Sequence, residues 1–162
     1  MVEIRPATVA DAPRCAEIYA PFVTDSWISF ELEAPDDEEM AARISKAMRL
    51  HDWLVAEVDG VVIGYAYGSE HRSREAYQTS CDITAYIDSD QRRLGVGRRL
   101  YEALLPRLKA RKMHAAFAGI ALPNKASIAL HQTMHFEHIG TYKEVGWKMG
   151  AWRDVAWFQR LL

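Results

Sequence analysis

The residues best suited to chemistry form a turn with two glycines. The motif Arg92-x-x-Gly95-x-Gly97 stands between a strand-like apolar segment, 83–87, and a stretch with apolar residues at helical spacing, 100–108. Glycine lets a backbone approach a ligand closely, and the free N–H groups at a helix start attract phosphate oxygens. Positive charge around the turn comes from four arginines: Arg92, Arg93, Arg98 and Arg99. The pattern predicts a pyrophosphate cradle.

The glycine pair alone is a weak signal, because glycine also fits a turn before a helix that binds nothing. Two familiar phosphate motifs are absent from the sequence: the Gly-Lys-Ser/Thr ending of a P-loop and the third glycine of the dinucleotide fingerprint. The remaining order of strand, Arg-x-x-Gly-x-Gly turn and helix resembles the acetyl-CoA-binding motif of the GNAT acyltransferase superfamily. This resemblance implies that acetyl-CoA binds here as an acyl donor.

Acyl transfer from a thioester to an amine needs one group that takes the amine proton and another that meets the leaving thiolate. Asp82 comes one residue before the predicted central strand, where its carboxylate could accept that proton directly or through water. His131 lies two turns after Asn124 on the same predicted helix face, where an imidazole could protonate the thiolate or assist deprotonation. A solvated strand-end charge and a surface histidine are the alternative interpretations.

Three further polar residues have two interpretations each. Asn124 is a natural cap for the helix that follows it, and its side chain could instead hydrogen-bond the pantetheine arm of the cofactor. Arg72 and Arg74 precede the central strand, and the planar guanidinium suits a carboxylate or phosphinate of a small acidic substrate. The alternative for both arginines is an exposed, solubilising side chain.

The elements around these residues predict a single α+β domain over 1–162, with six or seven strands and about four helices. Asp59-Gly60 predicts a two-residue hairpin, and Pro21 is expected to end the first helix. The segment 22–32 has no clean period and could be core or pocket wall. Strands are predicted over 2–5, 53–58, 61–68, 83–87, 115–121, 136–143, 142–149 and 152–158, and helices over 8–20, 36–49, 95–111 and 123–134.

Composition excludes several classes of protein. A formal net charge of -2 argues against a general nucleic-acid binder, which usually carries a strongly basic face. Two cysteines argue against a disulfide framework, and no Cys/His spacing matches a zinc site. No apolar run is long enough to cross a bilayer, and the first residues lack a signal-peptide core. We therefore expect a cytoplasmic protein with no membrane or nucleic-acid partner and no metal.

The resemblance to GNAT N-acetyltransferases extends over nearly the whole chain. Within that superfamily the sequence is similar to the phosphinothricin and methionine sulfoximine acetyltransferase group. The matching segments are 53–60, Arg74-x-Ala76-Tyr77, Leu122-Pro123-Asn124, Leu130-His131 and Gly150-x-Trp152-x-Asp154-Val155. The resemblance implies the GNAT fold, a central mixed and mostly antiparallel sheet flanked by helices. It also implies a homodimer in which the second subunit supplies part of the pocket.

The resemblance assigns site residues as well. It implies Asp82 and His131 as the catalytic pair, although the herbicide-resistance members of the group have glutamate where Asp82 stands. The shorter side chain favours a base that acts through water. The implied cofactor contacts are Ala85, Tyr86, Ile87, Arg92, Arg93, Leu94, Gly95, Val96, Gly97, Arg98 and Asn124. The candidate substrate contacts are Phe30, Arg72, Arg74, Glu75, Ala76 and Tyr77.

The leading functional hypothesis is an N-acetyltransferase that moves acetyl from acetyl-CoA to the α-amine of a small amino-acid-like compound by direct attack. The expected acceptors are of phosphinothricin, methionine sulfoximine or methionine sulfone type. Two alternatives stay open: an acetyltransferase for another amine, such as a protein N-terminus, a lysine or an aminoglycoside, and a non-catalytic CoA-binding domain.

Overall fold

The computed structural model describes residues 1–91 and 95–162, and within these ranges the chain forms seven strands and four helices. Three short 3-10 turns occur at Val9–Asp11, Glu75–Tyr77 and Ser89–Gln91. The α+β class and the predicted numbers of elements are confirmed. In chain order the elements are β1 (Glu3–Pro6), α1 (Ala12–Thr24), α2 (Asp37–Leu50), β2 (Trp53–Val58), β3 (Val61–Glu70), β4 (Ser80–Ile87), α3 (Val96–Ala110), β5 (Ala115–Ala121), α4 (Lys125–Thr133), β6 (Glu137–Lys148) and β7 (Ala151–Leu161).

All strands join one mixed sheet in the order β1-β2-β3-β4-β5-β7-β6. Neighbours pair antiparallel except β4 and β5, which run parallel. The predicted hairpin between β2 and β3 is confirmed, because Asp59 and Gly60 have the positive φ values, 50° and 80°, that a tight turn of this twist requires. The sheet is therefore mostly antiparallel, as expected.

The parallel pair β4 and β5 stays together over only three residues. Pairing runs from Ser80 opposite Ala115 to Asp82 opposite Phe117, although the strands continue to Ile87 and Ala121. Beyond the Asp82–Phe117 pair the two strands separate. This separation, which we call the splay, leaves a gap in the middle of the sheet.

Helices cover both faces of the sheet and divide the core in two. One cluster packs α3 against the sheet around Leu100 and Leu104, and the other packs α1 and α2 around Trp53 and Tyr65. Successive residues of a strand point to opposite faces. Ile83 accordingly faces the α3 cluster, and its neighbours along β4 face the other. No helix among residues 1–91 and 95–162 is long and apolar enough to cross a membrane.

The prediction that Pro21 ends the first helix is wrong, because α1 continues to Thr24. Proline cannot donate a backbone hydrogen bond to the preceding turn, which weakens a helix interior. Here the last turn is held by tertiary contacts instead. Val23 is buried, and the ring of Phe22 packs 4.9 Å from that of Tyr86. Packing thus outweighs the loss of one local hydrogen bond.

Two strand boundaries also differ from the prediction. β4 begins at Ser80, so Asp82 lies inside the strand instead of one residue before it. The segment predicted as two overlapping strands over 136–149 is one strand, β6, whose register with β7 shifts between Tyr142 and Gly146. A bulge of this kind inserts residues that do not pair, and it breaks the alternation that the sequence pattern would show.

Candidate active site

The splay opens into a cleft of about 350 Å³ between β4, β5 and the starts of α3 and α4. The structure brings most of the predicted cofactor-binding residues together in its walls. The residues from that prediction that line the cleft are Ala85, Tyr86, Ile87, Gly95, Val96, Gly97, Arg98 and Asn124, and His131 joins them. Arg92, Arg93 and Leu94 lie outside the described residues.

The start of α3 forms one end of this cleft. Gly95 is its N-cap residue, in the left-handed conformation at φ 65° and ψ 23°, which glycine adopts without the strain that a side chain brings. Gly97 is packed closely, since a Cβ there would stand 3.1 Å from Leu130. The first-turn N–H groups have no partner within their own helix, so they and the positive end of its dipole favour a bound anion.

Asn124 opens α4 on the opposite wall. Its side-chain Oδ1 accepts a hydrogen bond from the backbone N–H of Ser127 at 3.2 Å. The capping interpretation is therefore confirmed. The bond uses only the carbonyl oxygen of the amide, and Asn124 also lines the cleft. Its NH₂ group can still serve as a donor toward a ligand.

Asp82 occupies the apex of the splay, since it belongs to the last paired position of β4 and β5. By strand alternation its side chain lies on the α1 and α2 face, opposite to that of Ile83. Burial raises the pKa of Asp82 above its ordinary value, while a hydrogen bond from His71 opposes the rise. A partly buried carboxylate at this place can take part in proton transfer to or from a group bound in the gap.

His71 is a site residue that the sequence analysis did not single out. Its Nδ1 lies 2.5 Å from Oδ1 of Asp82, and its ring stacks on Phe117 with centroids 4.1 Å apart and planes 12° from parallel. Tyr77 and Trp157 meet the same ring edge-on at 6.1 Å. No local pattern marks these contacts, because the four partners lie on β4, β5, β7 and the turn Glu75–Tyr77.

His131 lies on the other face of the sheet, within the α3 cluster. Its side chain is buried, and Nδ1 donates to the Ser127 carbonyl at 2.7 Å. Nε2 then carries the lone pair, and it lies 3.2 Å from the hydroxyl of Tyr101, another cleft residue that the sequence analysis missed. Burial lowers the pKa of His131, partly offset by the Ser127 bond. The imidazole is therefore held neutral near pH 7.

The segment between α1 and α2 walls the side of the cleft near Phe22 and Ile28. Buried Lys148 of β6 donates to the carbonyl of Glu31 at 2.7 Å, and Arg43 forms two hydrogen bonds with the Glu31 carboxylate. Trp27 Nε1 donates to the Pro123 carbonyl at 3.1 Å, next to the start of α4. These contacts fix a segment that the sequence left without a predicted structure.

The predicted substrate residues are not gathered in the cleft itself. Arg72, Arg74, Glu75 and Ala76 are exposed on the segment between β3 and β4. Tyr77 closes that segment against His71. Phe30 is 40% exposed and packs over Gly146, where an added Cβ would collide with its ring.

Comparisons with known proteins agree with this geometry. The model of the acetyltransferase (GNAT) family matches residues 14–136. The phosphinothricin N-acetyltransferase of Streptomyces viridochromogenes is 36% identical, over 98% of this chain and 87% of its own length. The methionine sulfoximine/methionine sulfone acetyltransferase of Pseudomonas aeruginosa is 35% identical, over 96% and 92% of the two chains.

A solved structure gives the same result for the fold. The phosphinothricin acetyltransferase from Sinorhizobium meliloti, in complex with acetyl-CoA, superposes with a TM-score of 0.95 at 35% identity, covering 99% of this chain and 88% of the other. The predicted GNAT fold is thereby confirmed. The family model, the relatives and the solved structure all agree with the splayed sheet beside the glycine turn. The chain therefore belongs to the acetyltransferase (GNAT) family.

Proposed function

We propose that this chain transfers acetyl from acetyl-CoA to the α-amine of a small amino acid of the phosphinothricin or methionine sulfoximine type, and that residues 1–162 act as one catalytic domain. The observation that carries the proposal is the splay. The cleft has the start of α3 at one end, and Asp82, in the last paired position of β4 and β5, directly precedes Ile83, which lines the cleft.

The walls of the cleft fit the cofactor. Coenzyme A has a diphosphate that suits the N–H groups of the α3 start, beside Gly95 and Gly97. Its pantetheine arm carries amide groups, which suit the Asn124 side chain and the backbone groups of β4 over 85–87 that face the gap, where the pairing with β5 has ended. Arg92, Arg93 and Leu94 remain predicted contacts. When bound, acetyl-CoA supplies the activated acetyl group as a thioester.

The two candidate catalytic groups lie on opposite faces of the sheet, and the gap joins those faces. Asp82 serves the amine, because it lies on the α1 and α2 face at the apex. His131 serves the sulfur end through its contact with Tyr101. In the resting site the single Tyr101 hydroxyl proton is donated to Nε2 of neutral His131, so Tyr101 can protonate a thiolate only when that hydrogen turns from His131 toward sulfur.

The choice of acceptor rests on the relatives and on the size of the site. Relatives that match nearly the whole chain include acetyltransferases named for phosphinothricin and for methionine sulfoximine and methionine sulfone, and an L-amino acid N-acyltransferase. Three aromatic side chains, Phe117, Tyr77 and Trp157, pack around the ring of His71, the hydrogen-bond partner of Asp82, and we take them as one wall of a small acceptor pocket. Exposed Arg72 and Arg74 supply positive charge for a carboxylate nearby.

The test measures release of free thiol from acetyl-CoA with each of three acceptors, phosphinothricin, methionine sulfoximine and methionine sulfone. We expect turnover with at least one of them, and a fall of about 100-fold or more in kcat for Asp82→Asn, since proton transfer typically contributes that much. Asp37→Asn is the control, because Asp37 is an exposed carboxylate at the start of α2. Silence of the parent with all three acceptors would reject the substrate class.

We also propose that the chain forms a homodimer, as the resemblance predicts. Several large apolar side chains are exposed on β6, in the β6–β7 turn and at the start of β7: Ile139, Tyr142, Val145, Trp147, Met149 and Trp152. Exposed apolar groups concentrated on one element mark an interaction surface. Sedimentation should give twice the mass of one chain, and Trp147→Lys should shift it to that of one chain. A monomeric parent at micromolar concentration would contradict the proposal.

A further inference from the structure

The histidine beside Asp82 is held in one orientation by two independent contacts. Its Nδ1 lies 2.5 Å from the carboxylate, and its ring lies flat on Phe117, the residue paired with Asp82 at the last register position of β4 and β5. The ring therefore lies beside the apex of the splay. Only 12% of the His71 side chain is exposed. A ring fixed at both its edge and its face has a fixed direction for its second nitrogen.

The two histidines near the gap differ in what their nitrogens do. In His131 both nitrogens have partners, Ser127 and Tyr101. In His71 only Nδ1 has one, and no hydrogen bond to Nε2 is found among residues 1–91 and 95–162. Because a carboxylate accepts but does not donate, Nδ1 carries the proton of a neutral imidazole and Nε2 carries the lone pair. An unengaged lone pair at the apex is a base.

We propose that His71 is a catalytic residue, whose Nε2 takes the proton from the acceptor amine, and that Asp82 is the positioning residue that orients the imidazole and stabilises its charged form. The inference rests on the proposed acetyltransferase function and deepens it. It also accounts for aspartate at position 82, whose side chain is shorter than glutamate. Because the imidazole is hydrogen-bonded to the Asp82 carboxylate, the atom that accepts the proton lies one ring width farther from β4.

The reaction step balances with these two groups alone. The lone pair of the neutral amine forms a bond to the acetyl carbon, and the electron pair of the C–S bond leaves with sulfur as the thiolate. The proton that the amine gives up passes to Nε2 of His71. The imidazolium lies beside the Asp82 carboxylate, whose negative charge stabilises it. It returns the proton to water before the next turnover.

Few charged or titratable groups surround His71 among the described residues. These groups decide which ionisation the pH dependence of kcat/KM would report. Asp82 faces His71 from β4 and Tyr77 from the segment before β4. Arg72, the next residue along the chain, bonds the His71 carbonyl at 2.8 Å. Phe117 and Trp157 on β5 and β7 are not charged. An acid limb in kcat/KM should therefore belong to the His71–Asp82 pair as a unit.

Two substitutions separate a base from a structural support. His71→Asn keeps an N–H near the Nδ1 position for Asp82 and removes Nε2, whereas His71→Ala removes the ring. We expect both to lower kcat by about 100-fold or more with KM for acetyl-CoA within about twofold of the parent, as expected for loss of a general base. The acid limb should disappear in His71→Asn, and imidazole in the buffer should restore part of the His71→Ala activity.

His114→Asn is the matched control, because His114 is exposed and its side chain has no bond to the site. It should retain the parent rate and pH profile. Retention of activity within about threefold in His71→Asn would overturn the proposal, because a carboxylate merely held in place would then be sufficient.

Nitrogen NMR of histidine-labelled enzyme tests the same proposal without any acceptor. We expect the neutral tautomer of His71 to carry its proton on Nδ1, with the signal assigned by its loss in His71→Asn. A proton on Nε2 would overturn the proposal, because that nitrogen could not accept another. If no acceptor is turned over by the parent, the proposed function fails, and the tautomer still decides whether His71 is poised as a base.

Discussion

Substitution of Asn124 separates two roles that the sequence could not distinguish, a helix cap and a contact with the cofactor. Its Oδ1 caps α4 through the Ser127 N–H at 3.2 Å, and its side chain lines the cleft. Asn124→Ala removes both the cap and the amide. Asn124→Ser keeps an oxygen that can cap the helix and removes the amide.

The expected magnitudes follow from these contacts. Loss of an N-cap costs about 1 kcal/mol, so Asn124→Ala should lower Tm by about 2–4 °C in a domain of this size. Asn124→Ser should stay within about 1 °C of the parent by the same reasoning. Loss of one amide hydrogen bond to the cofactor should weaken acetyl-CoA binding roughly fivefold in both variants, which corresponds to about 1 kcal/mol.

Thermal unfolding and calorimetric titration with acetyl-CoA measure the two effects on the same protein samples. An unchanged Tm in Asn124→Ala would refute the energetic weight given to the cap. Parent-like affinity in Asn124→Ser would refute the cofactor contact and leave Asn124 as a cap alone. The comparison of the two variants is informative because the stability effect should appear in one and the binding effect in both.

Three further perturbations test the same structure. Gly95→Ala places a side chain at positive φ and should lower the free energy of unfolding, measured in urea, by about 1 kcal/mol. Gly95→Asn should lower it less, because asparagine tolerates the left-handed conformation. Equal losses in the two variants would contradict the left-handed conformation at Gly95. Lys148→Met leaves the carbonyls of Ser29 and Glu31 without their donor and should destabilise the fold by about 2 kcal/mol, because the Ser29 bond is buried. Exposed Lys143→Met should cause no change, and an equal loss in the two variants would refute the role of Lys148. Burial lowers the pKa of His131, so the unfolded chain binds the proton more tightly, and the free energy of unfolding should fall as pH drops below the ordinary pKa of 6.5. Between about pH 7.5 and 5.5, His131→Gln should lose less stability than the parent. An equal loss in both proteins would contradict a lowered pKa in the folded state.

The parts of the fold that the sequence predicted are those that depend on neighbouring residues. Asp59 and Gly60 adopt positive φ because both residues tolerate it, and the strands on either side follow from their composition. The glycine turn before α3 and the cap at Asn124 are local in the same sense. For these elements the physical cause lies in residues next to the feature along the chain, so the local sequence is sufficient to predict them.

The parts that were missed depend on residues far apart in the chain. Proline usually ends an isolated helix, but α1 continues past Pro21 because Phe22 packs against Tyr86 on β4. From the sequence, His71 is only one of several polar residues in the segment between β3 and β4. Its role follows from Asp82 on β4 and Phe117 on β5, and neither partner could be assigned before the strand order was known.

The splay explains why one feature of the sheet decides both binding and chemistry. Where β4 and β5 stop pairing, their facing backbone groups lose their partners, and buried groups of this kind need a ligand or water to satisfy them. The last paired position then lies next to the reacting end of whatever fills the gap. Asp82 and Phe117 occupy that position, and His71 bonds one and stacks on the other. A change that extended the β4–β5 pairing by one register step would therefore shorten the cleft and leave Asp82 and His71 one step behind its new end.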